Sequence, residues 1–193
     1  MSQATNMTDQ LPLAWPSYIA GEQVQSDDTL EVRYPWDGSL TGTLPKITPE
    51  QLEQAIAAAL GQVQPPTKNE RYEILMRARE LLAKRTDEFA NLIRLEAGLC
   101  MRETRYEVGR AQEVFKFAAA EALRDDESIF SCDAAKNGPA RKIFTLREPL
   151  SLVAAITPFN HPLNQVAHKL APAIAAGVPV LLKPSSKTPL TAI

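Results

Sequence analysis

Cysteine is scarce in this sequence of 193 residues, which contains only Cys100 and Cys132. The two cysteines are far apart and match no spacing of a metal site or a redox pair. We therefore expect no metal site and a reduced, cytoplasmic setting. Both cysteines are predicted to be buried, since a free cysteine usually packs as a small hydrophobic residue.

The sequence also lacks an excess of charge and a long hydrophobic run. Its net charge is -2, unlike the basic surface of a nucleic-acid-binding protein. The longest mostly apolar run, residues 170–182, contains Pro172, Gly177 and Pro179 and falls short of the roughly 20 residues of a membrane helix. The first basic residue is Arg33, so the N-terminus lacks the charged region of a secretory signal, and we expect none. We expect neither nucleic acid nor a membrane as partner, but a small molecule or a second copy.

The N-terminal half predicts strands followed by helices. Hydrophobic residues make up 45% of the chain and charged residues 23%, as is typical of a globular protein. Residues 1–16 are predicted to be a loose arm, and residues 17–193 to fold together. Within the folded part, turn residues separate three short strands, predicted at residues 17–20, 30–34 and 40–44.

Four helices are predicted after these strands. Thr48 and Thr67 each begin a capping box, in which the threonine is followed three residues later by Gln or Glu. Thr86 is predicted to cap the third helix, and Gly98 to end it. The fourth helix is predicted over residues 101–124.

The C-terminal part predicts a βαβ unit. Residues 141–147 alternate and predict a strand with one exposed face, whereas residues 152–156 and 178–182 are continuously apolar and predict parallel strands buried on both sides. A helix from Pro162 to Gly177 would connect the two parallel strands by a right-handed crossover, which gives an α/β fold. Residues 188–193 resemble the start of another helix, so we expect an N-terminal part of a longer protein.

Two loops follow the predicted parallel strands. In open α/β sheets, ligands bind beyond the carboxyl ends of the strands, and a βαβ unit places two such ends side by side. Residues 157–161 offer a side-chain amide, and residues 183–186 offer a cation and hydroxyls. The glycine-rich G-x-G-x-x-G pattern is absent. The residues alone predict a polar, phosphate-bearing ligand near these loops.

The same region resembles the NAD(P)-dependent aldehyde dehydrogenase superfamily. Order and spacing match in four runs: Ile156-Thr157-Pro158-Phe159-Asn160, Lys169 to Gly177, Leu182-Lys183-Pro184-Ser185 and Thr188-Pro189-Leu190. The resemblance extends upstream to about residue 17 but covers less than half of a family enzyme. It implies N-terminal strands and helices, followed by the first βαβ unit of a Rossmann-like cofactor domain that is truncated.

This resemblance implies NAD or NADP as cofactor and gives several residues a role. Asn160 would be the catalytic oxyanion donor. The cofactor would contact Ile156, Thr157, Pro158, Phe159, Lys183, Ser185 and Ser186, where Ser186 replaces a ribose-binding glutamate of many members. The nucleophilic cysteine and the general-base glutamate of the family have no counterpart here, and neither Cys100 nor Cys132 has the required context. The chain alone is therefore predicted to be inactive.

A narrower resemblance concerns the substrate. Residues 106–110, 129–133, 141–149 and 160–164 resemble the phosphonoacetaldehyde dehydrogenases, which oxidise phosphonoacetaldehyde to phosphonoacetate. This resemblance implies a small anionic aldehyde bound by Arg110 and His161, and a homodimer or homotetramer when complete. Two alternatives stay open: a dehydrogenase for another small aldehyde, such as lactaldehyde or a semialdehyde, and a non-catalytic fragment.

Several of these residues have a purely structural alternative. Asn160 would then form an Asx turn within its own loop, and His161 would fill a pocket. Arg110 lies on an apolar stripe and would pair with Glu107 or Glu113. Surface, packing or other structural roles are predicted for Glu96, Glu103, Glu107 and His168.

Overall fold

The computed structural model describes residues 11–62, 64–138 and 141–193. In chain order, this part contains four strands, four helices, a two-stranded hairpin and a βαβ unit. The strands form four two-stranded sheets within the described ranges. The predicted α/β fold is confirmed, and none of the described helices is long and apolar enough to cross a membrane.

Two antiparallel hairpins open the chain. Strand β1, Ser17–Ile19, pairs with β2, Glu22–Val24, and β3, Thr29–Arg33, pairs with β4, Leu40–Pro45. The three predicted strands are confirmed within a residue or two, whereas β2 was missed. It is three residues long and has two exposed positions, so it carries no alternating pattern that a sequence reading detects.

The predicted N-terminal arm lies partly outside the described residues, which begin at Leu11. Near its end, the Trp15 amide donates to the Thr43 carbonyl at 2.8 Å, and the Thr43 amide donates to the Leu13 carbonyl at 2.7 Å. Residues 13–15 therefore add a short parallel segment to the edge of β4.

Four helices follow: α1, Pro49–Leu60; α2, Lys68–Lys84; α3, Thr86–Ala97; and α4, Met101–Ala122. Both capping boxes, at Thr48 and Thr67, are confirmed, and so is Gly98, which ends α3 with a φ of 73°.

The prediction that Thr86 caps α3 is wrong. Arg85 occupies the N-cap position, and the Thr86 hydroxyl donates instead to the carbonyls of Leu82 and Ala83, at 3.2 and 3.0 Å. The reason is that α3 starts immediately after α2 ends, so the hydroxyl meets the free carbonyls of the preceding helix.

The C-terminal elements are a hairpin and the βαβ unit. Strands β5, Ile129–Ser131, and β6, Lys142–Phe144, pair antiparallel. Strands β7, Val153–Ile156, and β8, Val180–Lys183, pair in parallel through helix α5, Pro162–Ala176. The predicted βαβ unit is confirmed, and Gly177 ends α5 with a φ of 76°. A short 3₁₀ turn at Leu190–Ala192 follows.

Burial of the predicted strands differs from the expectation. Ala155 is 2% exposed, but Ile156 is 68% exposed, so β7 is not buried on both sides. Both strands of the β5–β6 hairpin are exposed at every residue. Among the described residues, neighbouring elements cover only one face of β7. The sequence of a strand does not show which elements pack on its other face, so burial on both sides could not be read from β7 alone.

The main core lies where α2, α3, α4 and α5 meet. Its most buried side chains are small or aliphatic: Leu75, Ala90, Ile93, Val108, Ala111, Ala119, Ala167 and Ala171. Three side chains that were expected to be buried or packed lie further out. Cys100 is exposed at the N-cap of α4, Cys132 is half-buried, and His168 is exposed on α5.

Substitution of two glycines by alanine should have opposite effects on stability. At Gly177, φ is 76° and a Cβ would lie 3.0 Å from Arg71 Nη1, so Gly177→Ala should lower the free energy of unfolding by about 1–2 kcal/mol. Gly109 lies within α4 with no atom within 4 Å of its Cβ position, so Gly109→Ala should raise it by up to about 1 kcal/mol. Urea unfolding of both variants checks this, and changes of the same sign would contradict it.

Candidate functional site

The carboxyl ends of β7 and β8 lie side by side, as predicted. Ile156 pairs with Lys183, and the Thr157 amide donates to the Lys183 carbonyl at 3.3 Å as the last bond of the ladder. Beyond this bond the two chains separate into the β7 loop, residues 157–161, and the β8 loop, residues 184–189. Ligands of α/β proteins bind in such a crevice.

The β7 loop leaves the Asn160 side chain available. Thr157 is buried, but Pro158, Phe159 and Asn160 are exposed. Within the described part of the chain, the Asn160 amide makes no hydrogen bond, so the Asx turn considered as its structural alternative is not formed. His161 follows at the N-cap of α5 and precedes Pro162, which restricts its backbone.

The β8 loop presents a cation and hydroxyl groups. Lys183 is exposed at the end of β8, and Ser186 is exposed two residues after Pro184. Ser185 is half-buried, and its hydroxyl accepts a hydrogen bond from the Lys187 amide at 3.2 Å. The Lys187 ammonium lies 4.6 Å from the centroid of the Phe159 ring, a cation–π contact that joins the two loops.

A groove of about 380 Å³ runs beside the two loops. Strand β3 and the end of α3 form its other side, which no local sequence signal indicated. Its walls include Arg33, Glu96, Phe159, Ser186, Lys187 and Thr188.

Glu96 is a buried carboxylate at the far side of this groove. It is 2% exposed and accepts hydrogen bonds from the amides of Leu190 and Thr191, at 2.8 and 3.0 Å, and from the Thr191 hydroxyl. Burial raises the pKa of the Glu96 carboxyl to about 7, against the lowering effect of these hydrogen bonds. The glutamate ties the segment after the β8 loop to α3.

Glu107 is a second buried carboxylate that accepts backbone amides, and it lies beside the β7 loop. It is 1% exposed, and its Oε1 accepts hydrogen bonds from the amides of Leu163 and Asn164, at 2.9 and 3.0 Å. These are free amides of the first turn of α5, where a negative charge is favoured by the helix dipole. Its Oε2 lies 3.4 Å from His161 Nδ1. Through Glu107, helix α4 thus holds the start of α5 and contacts the imidazole.

Arg110 lies on the same helix, three residues after Glu107, and its side chain is exposed. The ion pair of Arg110 with Glu107 or Glu113, considered as its structural role, is not formed. Glu107 accepts amides of α5, and Glu113 pairs with Lys116 at 3.1 Å. Among the residues that the structure describes, Arg110 has no ion pair. The structure therefore places Arg110 one helical turn from the carboxylate that holds His161.

The buried state of Glu96 and Glu107 was missed, although a signal existed. Glu96 follows Leu92 by four residues and Ile93 by three, and both are buried. Glu107 precedes the buried Ala111 by four residues. A carboxylate on the apolar stripe of a helix predicts a buried group that needs hydrogen-bond donors.

The residues around the two loops fit a dinucleotide cofactor. Ile156 and Phe159 are 68% and 51% exposed and give an apolar surface for a planar ring. Beside them, Lys183 and the hydroxyls of Ser185 and Ser186 suit the hydroxyl and phosphate groups of a nucleotide. The donor set and the apolar surface together are compatible with a nucleotide cofactor.

Comparison with known proteins decides the family. The model of the aldehyde dehydrogenase family matches residues 22–193. This chain belongs to the aldehyde dehydrogenase family. It is 37% identical over 177 residues to a 3-sulfolactaldehyde dehydrogenase of Priestia aryabhattai, an alignment that covers 91% of this chain and 37% of the relative.

Solved structures of aldehyde dehydrogenases superpose well on the chain. Aldehyde dehydrogenase 21 from Physcomitrella patens, in complex with the reaction product succinate, gives a TM-score of 0.87 at 30% identity, over 94% of this chain and 39% of that chain. The NADP-dependent glyceraldehyde-3-phosphate dehydrogenase from Bacillus halodurans C-125, complexed with NADP, gives 0.85 at 31% identity, over 91% and 38%. The 193 residues thus span less than two-fifths of these relatives.

The raised pKa of Glu96 predicts how stability depends on pH. Between pH 4.5 and about 7 the folded chain keeps a proton on Glu96 that the unfolded chain releases. The free energy of unfolding should therefore fall as pH rises through this window, by up to about 1.4 kcal/mol per pH unit from this group. Glu96→Gln should remove that contribution.

Urea unfolding at a series of pH values measures the difference between the Glu96→Gln variant and wild type. We expect the difference to shift in favour of the variant from pH 4.5 to 7 and to stay constant above. Glu103→Gln, at an exposed position of α4, serves as the control and should follow wild type. Parallel curves for wild type and Glu96→Gln would contradict the prediction.

Proposed function

We propose that the complete protein is an NAD(P)-dependent aldehyde dehydrogenase for a small anionic aldehyde, with phosphonoacetaldehyde oxidised to phosphonoacetate. The observation that carries the proposal is the free Asn160 amide in the loop that follows β7, the strand paired in parallel with the one that ends at Lys183. Membership of the aldehyde dehydrogenase family supports it.

The anionic character of the substrate is supported by the named relatives. Two of them are named for 3-sulfolactaldehyde and glyceraldehyde-3-phosphate, and the third holds its reaction product succinate. These molecules carry a sulfonate, a phosphate and carboxylates. In this chain, His161 offers an imidazole next to Asn160, and Arg110, one helical turn from Glu107 on α4, would offer a guanidinium fork. A phosphonate with three acceptor oxygens suits such donors, because charge-assisted hydrogen bonds are the strong ones.

Asn160 would stabilise the developing negative charge on the aldehyde oxygen. When a nucleophile adds to the carbonyl, this oxygen becomes an oxyanion, and a side-chain N–H aimed at it lowers the barrier. Such a donor must be fixed before the reaction. Pro158 and Pro162 restrict the backbone on either side of Asn160, and the Glu107 cap holds the helix that follows.

The cofactor would bind across both loops, and when bound its nicotinamide supplies the hydride acceptor. Lys183 and Ser186 would hold the ribose, with Ser185 beside them. Ile156, Thr157, Pro158 and Phe159 would line the nicotinamide side.

The nucleophile and the general base would come from residues outside this chain. Cys100 lies at the N-cap of α4 and Cys132 directly after β5, on elements that do not carry the β7 or β8 loop. We propose that residues 1–193 alone have no turnover. The complete protein would be a homodimer or homotetramer, because the β5–β6 hairpin exposes Ile129, Ile143 and Phe144 by 54–67%.

Comparison of a charged and an uncharged aldehyde in the complete protein tests the proposed function. Arg110→Ala should raise KM for phosphonoacetaldehyde by the equivalent of about 1.5–3 kcal/mol, the cost of a lost hydrogen bond to a charged group. It should affect acetaldehyde little. Asn160→Ala should instead lower kcat for both aldehydes by roughly 10²–10³-fold, as expected for one oxyanion donor.

Arg102→Ala is the matched control for Arg110→Ala, since Arg102 is 88% exposed in the first turn of the same helix. It should change neither aldehyde. If Arg110→Ala impairs both aldehydes equally, Arg110 has a structural role and the anionic substrate loses its support. Wild-type preference for lactaldehyde would favour the alternative of a small neutral aldehyde.

Cofactor preference should depend on position 186. A glutamate at that position would accept hydrogen bonds from the ribose hydroxyls and repel the 2′-phosphate of NADP. Ser186 lacks that charge, while Lys183 supplies a cation nearby. We therefore expect Ser186→Glu to shift the ratio of kcat/KM for NAD⁺ and NADP⁺ toward NAD⁺ in the complete protein. Ser186→Gln, which adds similar bulk without charge, should shift it less. An unchanged ratio in Ser186→Glu would show that this position does not contact the ribose.

A further inference from the structure

The Glu107 carboxylate serves two groups at once. Its Oε1 accepts the two amides of Leu163 and Asn164, and its Oε2 lies 3.4 Å from His161 Nδ1. The carboxylate is 1% exposed, whereas the imidazole is 45% exposed. A buried anion therefore anchors one nitrogen of a ring that is otherwise accessible.

This contact determines which ring nitrogen is free. An ionised carboxylate can only accept hydrogen bonds, so the contact of 3.4 Å with Glu107 favours the tautomer of the imidazole that carries its proton on Nδ1. The two ring nitrogens point in different directions, and Nε2 is left for another partner. Because Glu107 is itself held by the α5 amides, this contact favours one orientation of the ring.

We infer that Glu107 is a positioning residue for the anionic group of the aldehyde and acts through His161. When an anionic oxygen approaches Nε2, both ring nitrogens face anions, and the ring that satisfies both is the protonated one, with a donor at each nitrogen. The second proton comes from solvent. Among the residues that the structure describes, Glu107 is the charged group in contact with the ring, and Arg110 lies one turn further along α4. This inference rests on the proposed function, which assigns His161 to the substrate.

Comparison with Glu96 shows that accepting backbone amides does not by itself give a buried glutamate this positioning role. Glu96 is an equally buried glutamate that also accepts two backbone amides, at Leu190 and Thr191. Its third partner is the Thr191 hydroxyl, and it has no histidine partner. The two glutamates differ in that Glu107 directs one oxygen to a side chain beside Asn160.

Glu107→Gln in the complete enzyme tests the inference. The amide oxygen of glutamine can still accept the α5 amides, but its NH₂ group would face Nδ1, so the ring would keep its proton on Nε2 and stay neutral. We expect KM for phosphonoacetaldehyde to rise about 5- to 10-fold, the difference between a charged and a neutral hydrogen bond. KM for acetaldehyde should change less than about twofold.

A double-mutant cycle separates positioning from structural support. In the His161→Ala background, Glu107→Gln should raise KM for phosphonoacetaldehyde no further. Glu103→Gln is the control: it makes the same chemical change at an exposed glutamate of the same helix and should leave the ratio of the two KM values unchanged. A further rise in the His161→Ala background, or equal losses for both aldehydes, would overturn the inference.

Glu107→Asp keeps the test decisive if Glu107→Gln does not yield folded enzyme. The shorter side chain retains a carboxylate for the α5 amides but withdraws from the imidazole. A selective rise in KM for phosphonoacetaldehyde would support the inference, and a rise shared by both aldehydes would overturn it. If wild-type enzyme does not prefer charged aldehydes at all, the proposed function itself fails, a result distinct from a missing coupling between Glu107 and His161.

Discussion

Two buried carboxylates, Glu96 and Glu107, determine where the candidate site lies relative to the helices. Burial of a carboxyl group without hydrogen-bond donors is costly. Each of the two glutamates accepts hydrogen bonds from backbone amides of a segment that follows one of the two loops. The β7 loop is thereby tied to α4, and the segment after the β8 loop is tied to α3. The loops owe their position to these long-range contacts as much as to their own sequence.

Helix α5 is held at both ends. At its start, Glu107 accepts the amides of the first turn, and near its end the Arg71 guanidinium donates to the Ala175 carbonyl at 2.8 Å. A helix fixed in this way gives the preceding loop a rigid support. Asn160 can then be preorganised without hydrogen bonds of its own, which its proposed role as an oxyanion donor requires.

Local signals were enough to predict much of the fold. The capping boxes at Thr48 and Thr67 and the left-handed glycine at Gly177 are encoded by neighbouring residues, and so is the βαβ pattern. The error at Thr86 arose because its hydroxyl bonds the end of another helix. The buried partners of Glu107 lie 56 and 57 residues away, beyond any local pattern.

The sequence predicts those parts of the candidate site that directly follow a strand, but not the contacts that depend on the packing of helices. The two loops and their adjacency follow from strand order, whereas the contact between Glu107 and His161 needs the folded helices. The account is tested most directly by a crystal structure of the complete protein with NADP⁺ and phosphonoacetate. We expect the Asn160 amide within about 3 Å of a carboxylate oxygen and the phosphonate against His161 and Arg110. A phosphonate bound away from both residues, or Asn160 turned out of the site, would contradict the account.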